Sequence, residues 1–367
     1  MSREDLVEVQ EQEDIEIEGP EGNTINENID AIEDEEGNLL AGEEAPTAPQ
    51  DNFYANLAEF LDDSQLKSLA SKLLADFKDD SLARKSYIET YTKGLDLLGF
   101  KYQEVTRPFI GASGVTHPLL AEAATQFQAQ AFKELLPSDG PVRCQVVGAE
   151  SKETIQQANR VKDYMNYQIT DVMEEYTPEM DQMLFFLPLA GSTFKKVYYD
   201  PAAQRCKATF IHAEDLVVPY NASDLYEAER ISEVQRVTKN TVAKRIASGF
   251  YRDVELPEPF FNEDRAQKKY QELEGVTPQK YQDLYNFVEM HVDLDLPGYE
   301  SDDGVKVPYI VTLDRDSMTI MSIYRNYKPD DPARKRIPYF VHYKFLPGLG
   351  FYGFGLIHMI GGLSKAA

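Results

Sequence analysis

The chain has 367 residues, 42% hydrophobic and 27% charged, which is a globular composition and is long enough to bury one large core or two smaller ones. Its two cysteines, Cys144 and Cys206, lie far apart and outside any CxxC pattern, which excludes a disulfide framework and a thiolate zinc site and suits a reducing cytoplasm. With a formal net charge of −26, the chain lacks the broad attraction to phosphate that supplies non-specific DNA affinity.

The first 50 residues carry most of this charge. They hold 17 acidic residues and one basic residue, Arg3, so they contribute −16 and leave −10 for the rest. So acidic a segment cannot bury enough apolar surface to offset the conformational entropy that it would lose on folding. We therefore predict a disordered acidic tail over residues 1–50. It either solvates the protein or folds on binding a partner. Met1–Asp5 begins no signal peptide, and no run approaches the ~18 apolar residues of a membrane helix, so we expect no membrane association.

Helical periodicity begins near Phe53. The predicted helices occupy residues 57–74, 81–98, 118–136, 151–172 and 177–187. We expect Asp80 and Ser81 to cap the second of these helices and Gly99 to end it as a C′ residue.

The fourth predicted helix, which starts at about Ser151, has a clean amphipathic pattern. Six apolar residues share one of its faces: Ile155, Ala158, Val161, Met165, Ile169 and Val172. The simplest interpretation of such a face is that it belongs to the core.

Strand patterns replace helical ones after position 191. The predicted strands occupy residues 193–199 and 207–211, which form a hairpin, and then 231–237, 286–296, 309–313 and 319–324. A glycine-rich run at 348–355 follows, without the spacing or the later acid of a dinucleotide site. We interpret it as a tight turn that feeds a helix starting near Leu356.

Sequence motifs for catalysis are sparse. There is no P-loop, and the five histidines form no HExxH or i, i+4 pair. Asp293 and Asp295 lie two apart on a predicted strand and would point the same way. We interpret them as a solvated strand end, with acid–base work or magnesium binding in a metal-dependent nuclease as the alternative. The sequence therefore predicts no enzymatic activity, no cofactor and no metal.

A cluster of basic residues departs from the acidic average of the chain. Arg325, Lys328, Arg334, Lys335 and Arg336 fall within 12 residues, beside two prolines that punctuate an exposed loop. The loop is either solvated and balanced by its own aspartates, or it docks an acidic partner or faces phosphate at the rim of a channel.

Several segments, in this order, resemble the portal proteins of tailed double-stranded DNA phages, of the large podovirus type. They are Val161–Gln168, Asp181–Leu184, Leu187–Pro201, Glu214–Tyr220 and Phe345–Leu356. The resemblance implies a ring of about twelve copies at one capsid vertex of the virion, assembled in the host cytoplasm. It also implies that double-stranded DNA passes through without sequence-specific contacts, and that terminase, tail adaptors and the major capsid protein bind the ring.

By the same resemblance, the chain is α+β, with a mostly helical wing that carries β-hairpins. After the acidic tail at 1–50, which composition predicts, the resemblance implies the wing at 51–250, a stem-like helical region at 251–285, a β-rich clip at 286–336 and a return segment at 337–367, which we expect to be truncated. A monomeric adaptor or scaffold protein remains the third alternative, beside the portal subunit and the nuclease.

Overall fold

The structure is a computed structural model that describes residues 52–99, 109, 117–200, 203–259, 265–275, 284–300 and 304–366. The predicted tail, residues 1–50, lies outside them. The described residues form eight α-helices and eight strands arranged in two antiparallel sheets, so the mixed α+β class is confirmed. No helix in this part of the chain is both long enough and apolar enough to cross a bilayer.

The helices follow the predicted order along the chain. They are α1 (Asp63–Ala83), α2 (Lys85–Leu95), α3 (Leu119–Leu135), α4 (Lys152–Tyr167, prolonged by a π-helical turn at Gln168–Val172), α5 (Tyr176–Ala190), α6 (Lys239–Ala247), α7 (Arg265–Glu274) and α8 (Leu356–Ala366). Gly99 takes a left-handed φ of 73° after the turn that follows α2, as its place at a helix end predicts.

The prediction that Asp80 and Ser81 cap the second helix is wrong, because α1 continues through both. Asp80 is buried, and its carboxylate accepts hydrogen bonds from Nε and Nη2 of Arg230 at 3.1 and 3.0 Å. A bidentate arginine neutralises a carboxylate that burial would otherwise destabilise. The helix ends instead at Arg84, whose guanidinium donates to the backbone carbonyls of Ala213, Glu214 and Leu216.

The strands make one sheet of three and one of five. They are β1 (Ser192–Asp200), β2 (Arg205–Ile211), β3 (Leu216–Val217), β4 (Arg230–Thr238), β5 (Leu284–Leu294), β6 (Val307–Asp314), β7 (Thr319–Arg325) and β8 (Phe340–Lys344). The small sheet has the order β2-β1-β8 and the large sheet β3-β4-β5-β6-β7. The predicted hairpin is β1 and β2, with Val197 opposite Ala208.

Both sheets cross the boundaries between the implied wing, clip and return segments. Strand β4 of the wing-like range pairs with β5 of the clip-like range along its whole length, from Arg230 opposite Val292 to Thr238 opposite Leu284. Strand β8 of the return segment pairs with β1 of the wing. The ranges 51–250, 286–336 and 337–367 therefore share hydrogen-bonded sheets in this structure.

The largest apolar core lies between α1 and the five-stranded sheet. Leu73 and Phe77 of α1 belong to one buried cluster with Val288, Val311 and Ile323 of the sheet. A second core joins α2, α3, α5 and α8. Among the described residues of the stem-like range 251–285, the one helix is the ten-residue α7, which packs on α2, and β5 begins at the end of the range.

The prediction that the apolar face of α4 is core is wrong. Ser151 caps the helix, accepting a hydrogen bond from the backbone of Thr154 at 3.1 Å, but no residue of α4 is buried. The helix is held to the described residues beside it through Asn166, whose side chain bonds both backbone groups of Val142. We call its apolar face the α4 stripe, comprising Ile155, Ala158, Val161, Met165, Ile169 and Val172.

The glycine-rich run makes the predicted tight turn before α8. A Cβ atom on Gly353 or Gly355 would collide with the backbone of Gly191 or Leu189, at the end of α5. These two positions therefore need glycine because two backbones meet there, which requires no bound nucleotide.

Candidate functional site

The predicted basic cluster lies on an ordered loop that leads from β7 toward β8. We call residues 327–336 the basic loop. The backbone of Ile337 donates to the carbonyl of Asn326 at 3.0 Å and closes the loop at its base, while the backbone of Asn326 donates to Pro308 at 2.9 Å. The two ends of the loop are thereby fixed to the five-stranded sheet.

Asp331 holds the backbone of the basic loop. Its two carboxylate oxygens accept hydrogen bonds from the backbone nitrogens of Ala333 and Lys335, both at 3.0 Å. Arg334, between them, has a φ of 46°, in the left-handed region that favours glycine. The carboxylate of Asp331 is thus occupied in shaping the loop, and the basic side chains project from a defined backbone.

The five predicted docking residues divide into two groups. Arg325 is held at the base, where its Nη1 donates to the carbonyl of Phe53 at 2.8 Å. Arg336 is likewise held by protein contacts. The other three, Lys328, Arg334 and Lys335, are exposed and form no ion pair within the described residues. Only these three are available to a partner.

Arg336 also binds one member of the predicted aspartate pair, Asp293. Its Nη2 lies 2.8 Å from Oδ1 of Asp293, and its Nη1 donates to the carbonyl of Ala228 at 2.6 Å. Asp295 lies beyond the end of β5 and is exposed. No group of three or more His, Cys, Asp or Glu side chains with the arrangement of a metal site occurs among the described residues. Asp293 is therefore one half of an ion pair that anchors the loop.

A buried polar cluster, which the sequence patterns did not predict, joins the two sheets. We call it the inter-sheet cluster: Lys196 of β1, Glu233 and Gln235 of β4, and Glu289 and His291 of β5. Nζ of Lys196 lies 2.7 Å from Oε2 of Glu233 and 2.6 Å from Oε1 of Glu289. Nε2 of Gln235 donates to both carboxylates, at 3.0 and 2.9 Å. His291 lies 2.8 Å from Oε1 of Glu289. The ammonium group thus crosslinks the sheets.

The two carboxylates of the cluster differ in their affinity for protons. Burial raises the pKa of Glu233 above its ordinary value, although Lys196 opposes this. Burial acts on Glu289 as well, but Lys196 and the hydrogen bond from His291 outweigh it and hold its pKa far below the ordinary value. Burial lowers the pKa of His291, which favours the neutral imidazole.

The inter-sheet cluster and the basic loop are in contact. Nδ2 of Asn326, at the base of the loop, lies 3.3 Å from Nδ1 of His291. A cavity of about 40 Å³ lies beside them, bordered by Tyr226, His291, Arg336 and Tyr339. The base of the basic loop therefore contacts the inter-sheet cluster.

Glu214 is a further buried carboxylate, outside the inter-sheet cluster. Glu214 borders a groove of about 670 Å³ between α1, α2 and the β6–β7 turn. Its Oε2 is buried and forms no hydrogen bond, while Tyr270 hydrogen-bonds to the carboxyl group. Burial, together with the nearby charge of Asp215, raises the pKa of Glu214 to about 7.

No protein-family model matches the chain, and no curated protein matches it either.

Proposed function

We propose that this chain is a structural, ring-forming subunit of the portal type, which lines a passage for double-stranded phage DNA and docks terminase and tail adaptors. The observation that carries the proposal is the α4 stripe, an apolar helix face that the described part of the chain covers only in part: three of its six residues are exposed and the other three are half-buried. The resemblance of the motifs supplies the class of protein, and the stripe supplies a surface on which copies can associate.

The α4 stripe suits a contact with another copy of the chain. Ile155, Val161 and Met165 are 44%, 45% and 43% exposed, and Tyr164 beside them is 64% exposed. Together they present roughly 400 Å² of surface, which is the size of the largest apolar patch on a typical monomer, a patch that is often functional. A standard interface buries about 800 Å² per partner, so α4 would supply about half of one side.

The charge distribution favours the same occupant. Copies of a chain with a net charge of −26 repel one another, and association must come from contacts that carry little charge. Lys162 is the one charged residue within the angular range of the stripe, because Glu153, Arg160 and Asp163 face other directions at about 100° per residue. Apolar burial therefore drives this contact.

The basic loop would serve as a docking surface for an acidic partner. Its three exposed cations, Lys328, Arg334 and Lys335, lie on a backbone that hydrogen bonds hold in place. Exposed charges act through steering and weak attraction, so binding at this surface would depend on salt. Terminase and tail adaptors are the partners that the resemblance to portal proteins implies.

Association through α4 is tested by adding charge to the stripe. The double variant Val161→Asp, Met165→Asp should fold normally, because neither side chain is buried, but should reduce the mass of the assembly measured by light scattering. Gln156→Asp is the matched control, since it adds a charge about 180° away on the same helix and should leave the mass unchanged. Equal masses for the double variant, the control and the unaltered chain would reject the proposed contact.

A further inference from the structure

The inter-sheet cluster has an imbalance of formal charge. Lys196 contributes one positive charge, and Glu233 and Glu289 contribute two negative charges when both are ionised. Gln235 is neutral. The side chains of Lys196, Glu233 and Glu289 are only 11%, 11% and 15% exposed, so water screens this imbalance poorly. Burying an unpaired charge is costly, and a buried group commonly changes its protonation instead.

His291 does not supply the missing positive charge. The amide nitrogen of Asn326 is a donor, so Nδ1 of His291 accepts its hydrogen bond, and the ring proton lies on Nε2. Nε2 then donates to Oε1 of Glu289. The imidazole thus carries a single ring proton, on Nε2, and is neutral.

The other cations near the cluster form no ion pair with its carboxylates in the described part of the chain. Arg336 is bound to Asp293, and Arg245 donates to the hydroxyl of Tyr251 at 2.5 Å. Tyr198 of β1 and Tyr339, next to β8, also approach the cluster, and burial raises the pKa of both tyrosines. Phe340 of β8 lies beside Lys196 and carries no charge. Among the described residues, Lys196 is therefore the one cation that pairs with the two carboxylates.

The hydrogen bonds indicate which carboxylate takes up a proton. Glu289 accepts three of them, from Lys196, Gln235 and His291, and these use both of its oxygens. Glu233 accepts two, and both end on Oε2, which leaves Oε1 to carry a proton. Three donors stabilise the ionised form of Glu289 more than two stabilise that of Glu233.

We infer that the inter-sheet cluster holds one proton on Glu233, and that loss of this proton weakens the junction between the two sheets. The protonated cluster is neutral, whereas the deprotonated cluster carries one uncompensated negative charge between β1 and β4. The raised pKa of Glu233 agrees with this. The contribution of Glu233 to stability is complete below the pKa of an unfolded glutamate and is lost as the pH rises through the folded value.

The inference is tested on the full chain by thermal unfolding across a pH series. Glu233→Gln keeps the shape of the protonated carboxyl and cannot ionise. Its Tm should fall less than that of the unaltered chain as the pH rises, and the difference should correspond to about one proton. Glu214, which also has a raised pKa, is present in both chains and cancels in the comparison. Parallel pH profiles would overturn the inference.

Two further measurements separate the candidate proton carriers. The infrared spectrum of the unaltered chain minus that of Glu233→Gln should show a protonated-carboxyl band, shifted in D₂O, because Glu214 contributes to both spectra and cancels. Should that variant fail to fold, titration of the band in Glu214→Gln decides the matter, because its absence over the whole pH range in which that chain is folded contradicts the inference. A pH profile flattened by His291→Gln but not by Glu233→Gln would place the proton on the imidazole and overturn the assignment.

Discussion

The inter-sheet cluster and the basic loop use the same kinds of side chain in opposite surroundings. In the cluster, one lysine is enclosed by two carboxylates at 2.6–2.7 Å and is almost inaccessible to water. In the loop, Lys328, Arg334 and Lys335 extend into solvent from a backbone that Asp331 holds. Burial decides the role of each charge: the enclosed charge maintains the fold, and the exposed charges are free for a partner.

The largest expected effect comes from removing the enclosed charge. Lys196→Met leaves the ionised Glu289, with the carboxyl group of Glu233 beside it, buried without a cation, and it should lower the free energy of unfolding by about 3–5 kcal/mol, measured by urea denaturation. Lys239→Met is the control, because Lys239 forms an exposed pair with Glu258 and should cost less than about 1 kcal/mol. A loss at Lys196 as small as that of the control would show that the cluster does not hold the sheets together.

Two adjacent residues of the basic loop, Lys335 and Arg336, differ in whether protein contacts hold their side chains. Arg336→Ala removes an ion pair with Asp293 and two hydrogen bonds to backbone carbonyls, so it should destabilise the protein by about 1–3 kcal/mol. Lys335→Ala removes an exposed side chain that forms no ion pair with any residue that the structure describes, and it should change stability by no more than about 0.5 kcal/mol. Equal losses for the two variants, measured by denaturant unfolding, would contradict the division into held and free cations.

Glu214 extends the comparison to a buried carboxylate that has no lysine partner. Its folded pKa of about 7 lies above the unfolded value, so its stabilising contribution is complete at acid pH and is lost as the pH rises through 7. Glu214→Gln should therefore reduce the fall in Tm between pH 5 and pH 8. Glu258→Gln, at an exposed position, should leave that fall unchanged. If the two variants behave alike, the carboxyl of Glu214 does not retain its proton in the folded protein.

The smallest expected effect on stability comes from removing all three free cations. Lys328→Ala, Arg334→Ala, Lys335→Ala should leave unfolding nearly unchanged, because none of the three forms an ion pair in the described part of the chain. Binding of terminase or a tail adaptor should weaken, chiefly at low salt, while ring assembly persists. Loss of the rings in this variant would assign the loop to a contact between copies.

Periodicity predicted the elements of this fold more reliably than their surroundings. The hairpin at β1 and β2 and the helix that Ser151 caps follow from local patterns. The exposure of the α4 stripe does not, because an amphipathic face has the same spacing whether it packs within one chain or against another. The capping prediction for Asp80 was wrong for a related reason. Its partner Arg230 lies 150 residues away in the sequence, and this contact overrides the local capping preference.

The basic loop could be predicted from the sequence, but its division into held and free cations could not. Arg325 and Arg336 differ from Lys335 only through contacts with Phe53 and Asp293, which are distant in sequence. The sequence indicates the inter-sheet cluster only weakly, because Glu289 and His291 alternate with apolar residues on a buried strand. Polar residues two apart within such a strand must find hydrogen-bond partners inside the protein. Asp293 and Asp295 lie at the end of the strand, where water can serve as their partner.

Electron microscopy of the purified chain in negative stain tests the central proposal most directly. A ring-forming subunit of the portal type predicts closed rings of about twelve copies with a central opening. The Val161→Asp, Met165→Asp variant should show fewer rings or none. Fields of single copies at every protein concentration, with the variant and the unaltered chain indistinguishable, would contradict the proposed ring and favour a monomeric adaptor.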